Sequence, residues 1–103
     1  MSDPGPDDPR IDISDDIREL AGLFLQTRRA DLARLDAALA AGDLGTIRAV
    51  GHAFKGSSAP FGFPEAGRLG AELEDAASRG DREAVEALVP RLKAALPPDG
   101  GDG

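Results

Sequence analysis

The chain has no cysteine, tryptophan or tyrosine, and only one histidine and one methionine in 103 residues. Without cysteine there is no disulfide framework and no thiolate metal site. The aromatics are Phe24, Phe54, Phe61 and Phe63 alone. Strands draw on aromatic and β-branched residues, so this Leu- and Ala-rich composition favours helix over sheet. No apolar run approaches the ~20 residues that a membrane span needs. The N-terminus lacks the basic-then-apolar pattern of a secretory signal. A soluble, cytoplasmic protein with no membrane partner is expected.

Basic clusters are absent too. The formal net charge is -7, and residues 1–16 hold six of the acids against one arginine. Asp99 and Asp102 add two more acids at the other end. Residues 17–98 are then neutral, with eleven acids and eleven bases. No basic patch exists to neutralise phosphates, so nucleic acid is not an expected partner.

What is present is helical periodicity between two polar ends. Residues 1–12, rich in Pro, Gly and Asp, have little to bury and are expected to be a disordered acidic tail. Residues 97–103 are expected to be a flexible C-terminal tail. Between them, residues 13–96 carry four helical segments with short connections and no strand pattern. The fold class expected is all-α, an antiparallel four-helix bundle.

The first helix starts at a cap near Ser14 or Asp15. Its stripe is Ile17, Leu20 and Phe24, then Leu25, Leu32, Leu35 and Leu39. The shift from Phe24 to Leu25 predicts a bend or break near Thr27 to Arg29, and Gly42 ends the segment. Asp43 caps a second helix carrying Leu44, Ile47, Val50 and Phe54. The stretch APFGFP is a turn signal. Pro64 suits the first position of a third helix, which turns Ala66, Leu69, Leu73, Ala76 and Ala77 inward and ends at Gly80. Asp81 caps a fourth helix with Val85, Leu88, Val89, Leu92 and Leu96. Pro90 inside it is expected to kink or split it.

The second helix holds the one histidine, His52, in GHAFKGSSAPFGF (residues 51–63). Successive helical residues turn by ~100°. His52 therefore points nearly opposite to Phe54, away from the apolar stripe. Its neighbours at i±3 and i±4 are Arg48, Ala49, Lys55 and Gly56. Gly45 and Ala59 lie one turn further out. A histidine met at random is most often an ordinary surface or satisfied core residue, and Lys55 an ordinary solvated lysine. Against that stand three glycines, Gly45, Gly51 and Gly56, each costing roughly 1 kcal/mol relative to Ala in a helix interior. Close approach by another macromolecule is a physical reason to keep the imidazole uncovered.

One His with no Cys, and no acid at i±3 or i±4, does not make a zinc site, so no metal is expected on this chain. Acid–base catalysis is open to any histidine, but nothing marks a substrate pocket. An uncovered imidazole beside a lysine also suits carriage of a phosphoryl group: the ring nitrogen attacks phosphorus and the ammonium offsets charge on the equatorial oxygens.

HAFKGSSA (His52 to Ala59) resembles the His-x-x-Lys-Gly-plus-small-residues signature of histidine-containing phosphotransfer (HPt) domains of two-component phosphorelays. The likeness covers roughly residues 15 to 96. The downstream PFGF (residues 60–63) and ELE (residues 72–74) also look like this family, and FGF at this distance from the His resembles particularly the His-bearing domain of chemotaxis histidine kinases. The resemblance implies a four-helix bundle with an exposed His on its second long helix. His52 is then the phosphoryl acceptor, with Lys55, Glu74 and Ser58 supporting the His or the phosphate. In the chemotaxis version a glutamate on the next helix bonds the other ring nitrogen, which by spacing is Glu74. Arg48, Ala49, Gly56, Ala59 and Phe63 are expected to meet the partner. Gly51 departs from the family, where larger residues are commoner before the His, and is expected to loosen the helix locally.

The implied partner is a response-regulator receiver domain, a histidine kinase, or both, with Mg²⁺ coming from the receiver. A monomer is expected. The chain has no ATP-binding motif, so it reads as a phosphocarrier without autokinase activity. Two other readings stand beside this one. The chain is then the phosphoryl-accepting piece of a chemotaxis-type kinase, or a helical interaction module whose histidine is silent.

Overall fold

The computed structural model describes the backbone of residues 13–97 and the side chains from Arg18 onward. The cap candidates Ser14 and Asp15 and the stripe residue Ile17 lie outside the described side chains. Residues 1–12 and 98–103, the bulk of both expected tails, lie outside the described residues. Helix α1 runs Ile13–Ala41, α2 Leu44–Ser57, α3 Pro64–Ser78 and α4 Arg82–Ala94, with one turn of 3-10 helix at Ala59–Phe61. There is no strand among the described residues. No described helix is long and apolar enough to cross a membrane.

The same device makes two of the three connections. Gly42 (φ 70°) and Gly80 (φ 72°) take the left-handed conformation that a Cβ disfavours. Asp43 N–H then donates to Ala38 O at 2.8 Å and Asp81 N–H to Ala76 O at 2.9 Å, which ties off each helix end. Each aspartate starts the next helix by accepting a backbone N–H, from Thr46 or from Ala84, at 3.1 Å. These tight reversals lay α2 against α1 and α4 against α3. The middle connection is the 3-10 turn, closed by Gly62 at φ 92°, with Pro64 on the first turn of α3. Ion pairing between Lys93 and Asp36 (2.6 Å) links α4 back to α1, so the four helices close a ring.

The core is the set of inward stripes. Leu35, Ile47, Val50, Phe54, Leu69, Leu73, Val85 and Leu92 are almost wholly buried. Phe54 is the largest of them, and truncating a buried Phe to Ala typically costs about 3–5 kcal/mol. Phe24 stacks on Phe61 (ring centroids 4.9 Å apart) and on Phe63 (5.7 Å), sealing the end of the bundle where the 3-10 turn lies.

Three expectations about the helices are corrected. α1 is unbroken through Thr27 to Arg29. Phe24, Leu35 and Ala38 are buried, with Leu25, Leu32 and Leu39 half-buried beside them. The shift of stripe is the drift of one long helix around the bundle, and Arg28 sits at the changeover with its guanidinium against the Phe24 and Phe54 rings. Leu20 is not part of the core: Leu20 and Leu23 are 53% and 55% exposed. Helix α4 is not split by Pro90, which stands exposed within it.

Candidate functional site

The site forms where α2 crosses α3. Gly51 and Gly70 are both buried at that crossing. A methyl on Gly51 would lie 2.7 Å from Glu74 N and 2.8 Å from Gly70 O. One on Gly70 would lie 2.5 Å from Phe54 Cβ and 2.8 Å from both Gly51 O and Lys55 N. The two helices thus touch backbone to backbone, and only glycine allows it. Gly51 is therefore not a weak point in a loosened helix; the approach it serves is that of α3 in the same chain. Gly56 is different, exposed and with open space where its Cβ would stand.

That close crossing brings Glu74 of α3 beside two residues of α2. His52 Nδ1 and Glu74 Oε2 are 3.0 Å apart, and Lys55 Nζ donates to Glu74 Oε1 at 2.8 Å. The Lys55 hydrogen bond, with that of His52 adding to it, holds the Glu74 carboxyl below its ordinary pKa against partial desolvation. Glu74 is thus a carboxylate at neutral pH, and a carboxylate only accepts. The imidazole must then carry its proton on Nδ1, which leaves the lone pair of the neutral ring on Nε2. The His52 side chain is 68% exposed. Exposed ion pairs add little to stability, so this arrangement orients the ring rather than holding the fold.

Around the imidazole, Arg48, Ala49, Gly56 and Ala59 are all exposed. An open groove of about 320 Å³ lined by Gly45, Arg48, Ala49, His52 and Glu74 runs along one side. Another of about 290 Å³ is lined by Arg48, Lys55, Ala71, Glu74, Asp75 and Ser78. Among the described residues, no group of three or more His, Asp or Glu side chains converges as a metal cage.

Two expected site residues are not on this face. Ser58 is fully buried. Six residues beyond His52, it falls about 120° away around the helix and shares the inward side with Phe54. Its backbone closes the turn, with N–H donating to Phe54 O and its carbonyl accepting from Phe61 and Phe63. It is out of reach of a group on His52. Phe63 is half-buried and its ring lies against Phe24. Ser57 serves the scaffold: its hydroxyl donates to Ala53 O at 2.7 Å and accepts from Arg28 Nη1 at 3.2 Å.

Sequence reasoning missed Gly70. The signal was a pair of glycines, Gly67 and Gly70, inside the α3 stripe where helix propensity argues against them.

A family model described as Hpt domain matches residues 19–97. No curated protein and no solved structure matches the chain.

Proposed function

The chain belongs to the Hpt domain family, and on that premise we propose that His52 is the residue that carries its phosphoryl group. Histidine phosphotransfer in two-component signalling is the general function that membership implies, with histidine kinases and response regulators as the partner classes. The observation that carries the finer reading is the contact of His52 with Glu74. In the neutral ring it puts the proton on Nδ1 and leaves the lone pair on Nε2, in the exposed side chain of the only histidine in the sequence.

In the proposed step the Nε2 lone pair attacks the phosphorus of an aspartyl phosphate on a receiver domain. The N–P bond forms as the P–O bond to the aspartate breaks, and that electron pair leaves with the carboxylate. The ring becomes cationic while keeping its Nδ1 proton, and the Glu74 carboxylate beside it offsets the new charge. Lys55, one turn along α2, stands near enough to turn its ammonium from Glu74 toward the phosphoryl oxygens. The reverse step returns the group to an aspartate. The Mg²⁺ that such transfers use is expected on the receiver's side. The exposed, small-sided surface of Ala49, Gly56 and Ala59 lets a receiver bring its aspartate close to Nε2.

The test is to incubate the chain with a phosphorylated receiver and assay acid-labile phosphate on it. Label is expected on the wild type and none on His52→Gln, which should keep its helical circular dichroism. Label persisting on that variant overturns the assignment.

A further inference from the structure

On the His52 face two cations stand within one turn of the imidazole, and they are in different states. Lys55 is engaged by Glu74 at 2.8 Å. Arg48, exposed one turn toward the N-terminus of α2, makes no hydrogen bond or ion pair with any described residue. Arg91 on α4 likewise makes no hydrogen bond or ion pair with a described residue, but it lines a groove that His52 does not share. Other arginines are taken by acids. Arg28 and Arg34 pair with Asp31, Arg68 with Glu65 and Glu72, Arg79 with Asp75 and Asp81, and Arg82 with Glu86. Two acids line a groove together with Arg48, and both are taken: Glu74 by Lys55 and His52, Asp75 by Arg79. Arg48 also borders both grooves, the one lined by His52 and the one lined by Lys55, with Glu74 common to the two. A partner that enters either groove to reach His52 therefore meets its guanidinium.

Building on the phosphotransfer reading above, we infer that Arg48 is the residue through which this face selects its partner, and that the partner is a receiver domain bearing a surface carboxylate about one helical turn from its phospho-acceptor aspartate. A guanidinium left without an internal acid keeps its five N–H donors for a planar, bidentate carboxylate. Residues four apart on a helix have Cβ atoms about 5–6 Å apart, which sets the spacing that the receiver must match. Lys55, already neutralised by Glu74, contributes to the transfer step rather than to attraction at a distance. The two cations thus divide between docking and chemistry.

The division is measurable. The probe is a receiver domain phosphorylated with acetyl phosphate, chosen from a panel as the fastest donor to the wild-type chain. Single-turnover transfer is followed against receiver concentration at low and high salt. Arg48→Glu is expected to raise the half-saturating receiver concentration tenfold or more at low salt, with the saturating rate within about twofold of wild type. The difference should shrink at high salt, where exposed charges are screened. Arg91→Glu, the same charge change on α4, should shift half-saturation less than about twofold. If Arg48→Glu and Arg91→Glu shift it equally, net charge rather than Arg48 governs docking and the inference is wrong. If Arg48→Glu instead lowers the saturating rate at unchanged half-saturation, Arg48 contacts the phosphoryl group and the inference is likewise wrong. If the wild type takes up no phosphate from any receiver, the phosphotransfer reading itself falls, and this inference with it.

Discussion

Gly51 and Gly70 face each other across the α2–α3 crossing, each so close to the other's carbonyl oxygen that an added methyl would stand 2.8 Å from it. The obstacles are backbone atoms and, at Gly70, also the Cβ of Phe54, none of which can swing aside as the end of a flexible side chain does. Gly51→Ala and Gly70→Ala should each destabilise the bundle by about 1–3 kcal/mol, the usual cost of overpacking. Both should also slow phosphotransfer, because prising α3 from α2 moves Glu74 off His52. Gly56→Ala should do the opposite to stability and raise it by up to ~1 kcal/mol through helix propensity. Denaturant midpoints of the three variants check the contrast; equal effects at Gly51 and Gly56 would contradict it.

Lys55→Ala should keep the fold and reduce the rate of transfer at saturating receiver without abolishing it. Glu74 still holds the imidazole in that variant. Single-turnover transfer from a phosphorylated receiver is the measurement, and a wild-type rate would make Lys55 an ordinary surface residue.

Glu74 makes stability depend on pH in a definite sense. Its folded pKa is depressed, first by Lys55 and further by His52. Its contribution is therefore fully present above the ordinary glutamate pKa of about 4.3 and is lost as pH falls through the lower folded value. The effect is small, as for other exposed pairs: wild type and Glu74→Gln should differ slightly in thermal midpoint at neutral pH and converge in acid below that range. A difference that persists undiminished well below the ordinary glutamate range would reverse the assignment. At neutral pH the same variant should transfer more slowly, since an amide can donate to Nδ1 as well as accept and no longer dictates the tautomer.

Pro90 lies exposed inside α4, where it removes one helical N–H and crowds the preceding turn. Pro90→Ala should stabilise the chain by about 1–3 kcal/mol, reduced from the full propensity difference by the greater freedom that alanine gives the unfolded chain. Thermal unfolding checks this, with phosphotransfer expected to be unchanged because α4 carries no residue of the site.

The stripes of α2, α3 and α4 were legible in the sequence because each helix packs along most of its length. Every inward residue named for α3, from Ala66 to Ala77, is buried. The turns were legible because Gly42–Asp43 and Gly80–Asp81 are local chemistry. Leu20 misled because periodicity reports which face is apolar, not whether another helix reaches it. Thr27 to Arg29 looked like a break because a long helix changes the neighbour it faces without changing its hydrogen bonds. Gly51 misled for a related reason. Read along one helix, a glycine beside an exposed histidine looks like room for a visitor. That its own Cβ position is filled by α3 is a fact about two helices at once. The nearness of Glu74 to His52 rested on family likeness, since a separation of 22 positions along the chain fixes no distance.

Backbone contact at Gly51 and Gly70 also implies a hierarchy of opening. Helix α1 is held to its neighbours by side chains: Phe24 on the phenylalanines of the turn, Arg28 on Ser57, Asp36 on Lys93. Such contacts open locally at lower cost than a seam where the helix backbones themselves touch. Amide protons of α1 should therefore exchange with solvent sooner than those at the centre of α2 and α3. The imidazole, its lysine and its glutamate all ride on the slow-exchanging pair. Fluctuations that peel α1 away leave their spacing intact, so the reacting geometry outlasts partial unfolding of the domain that carries it.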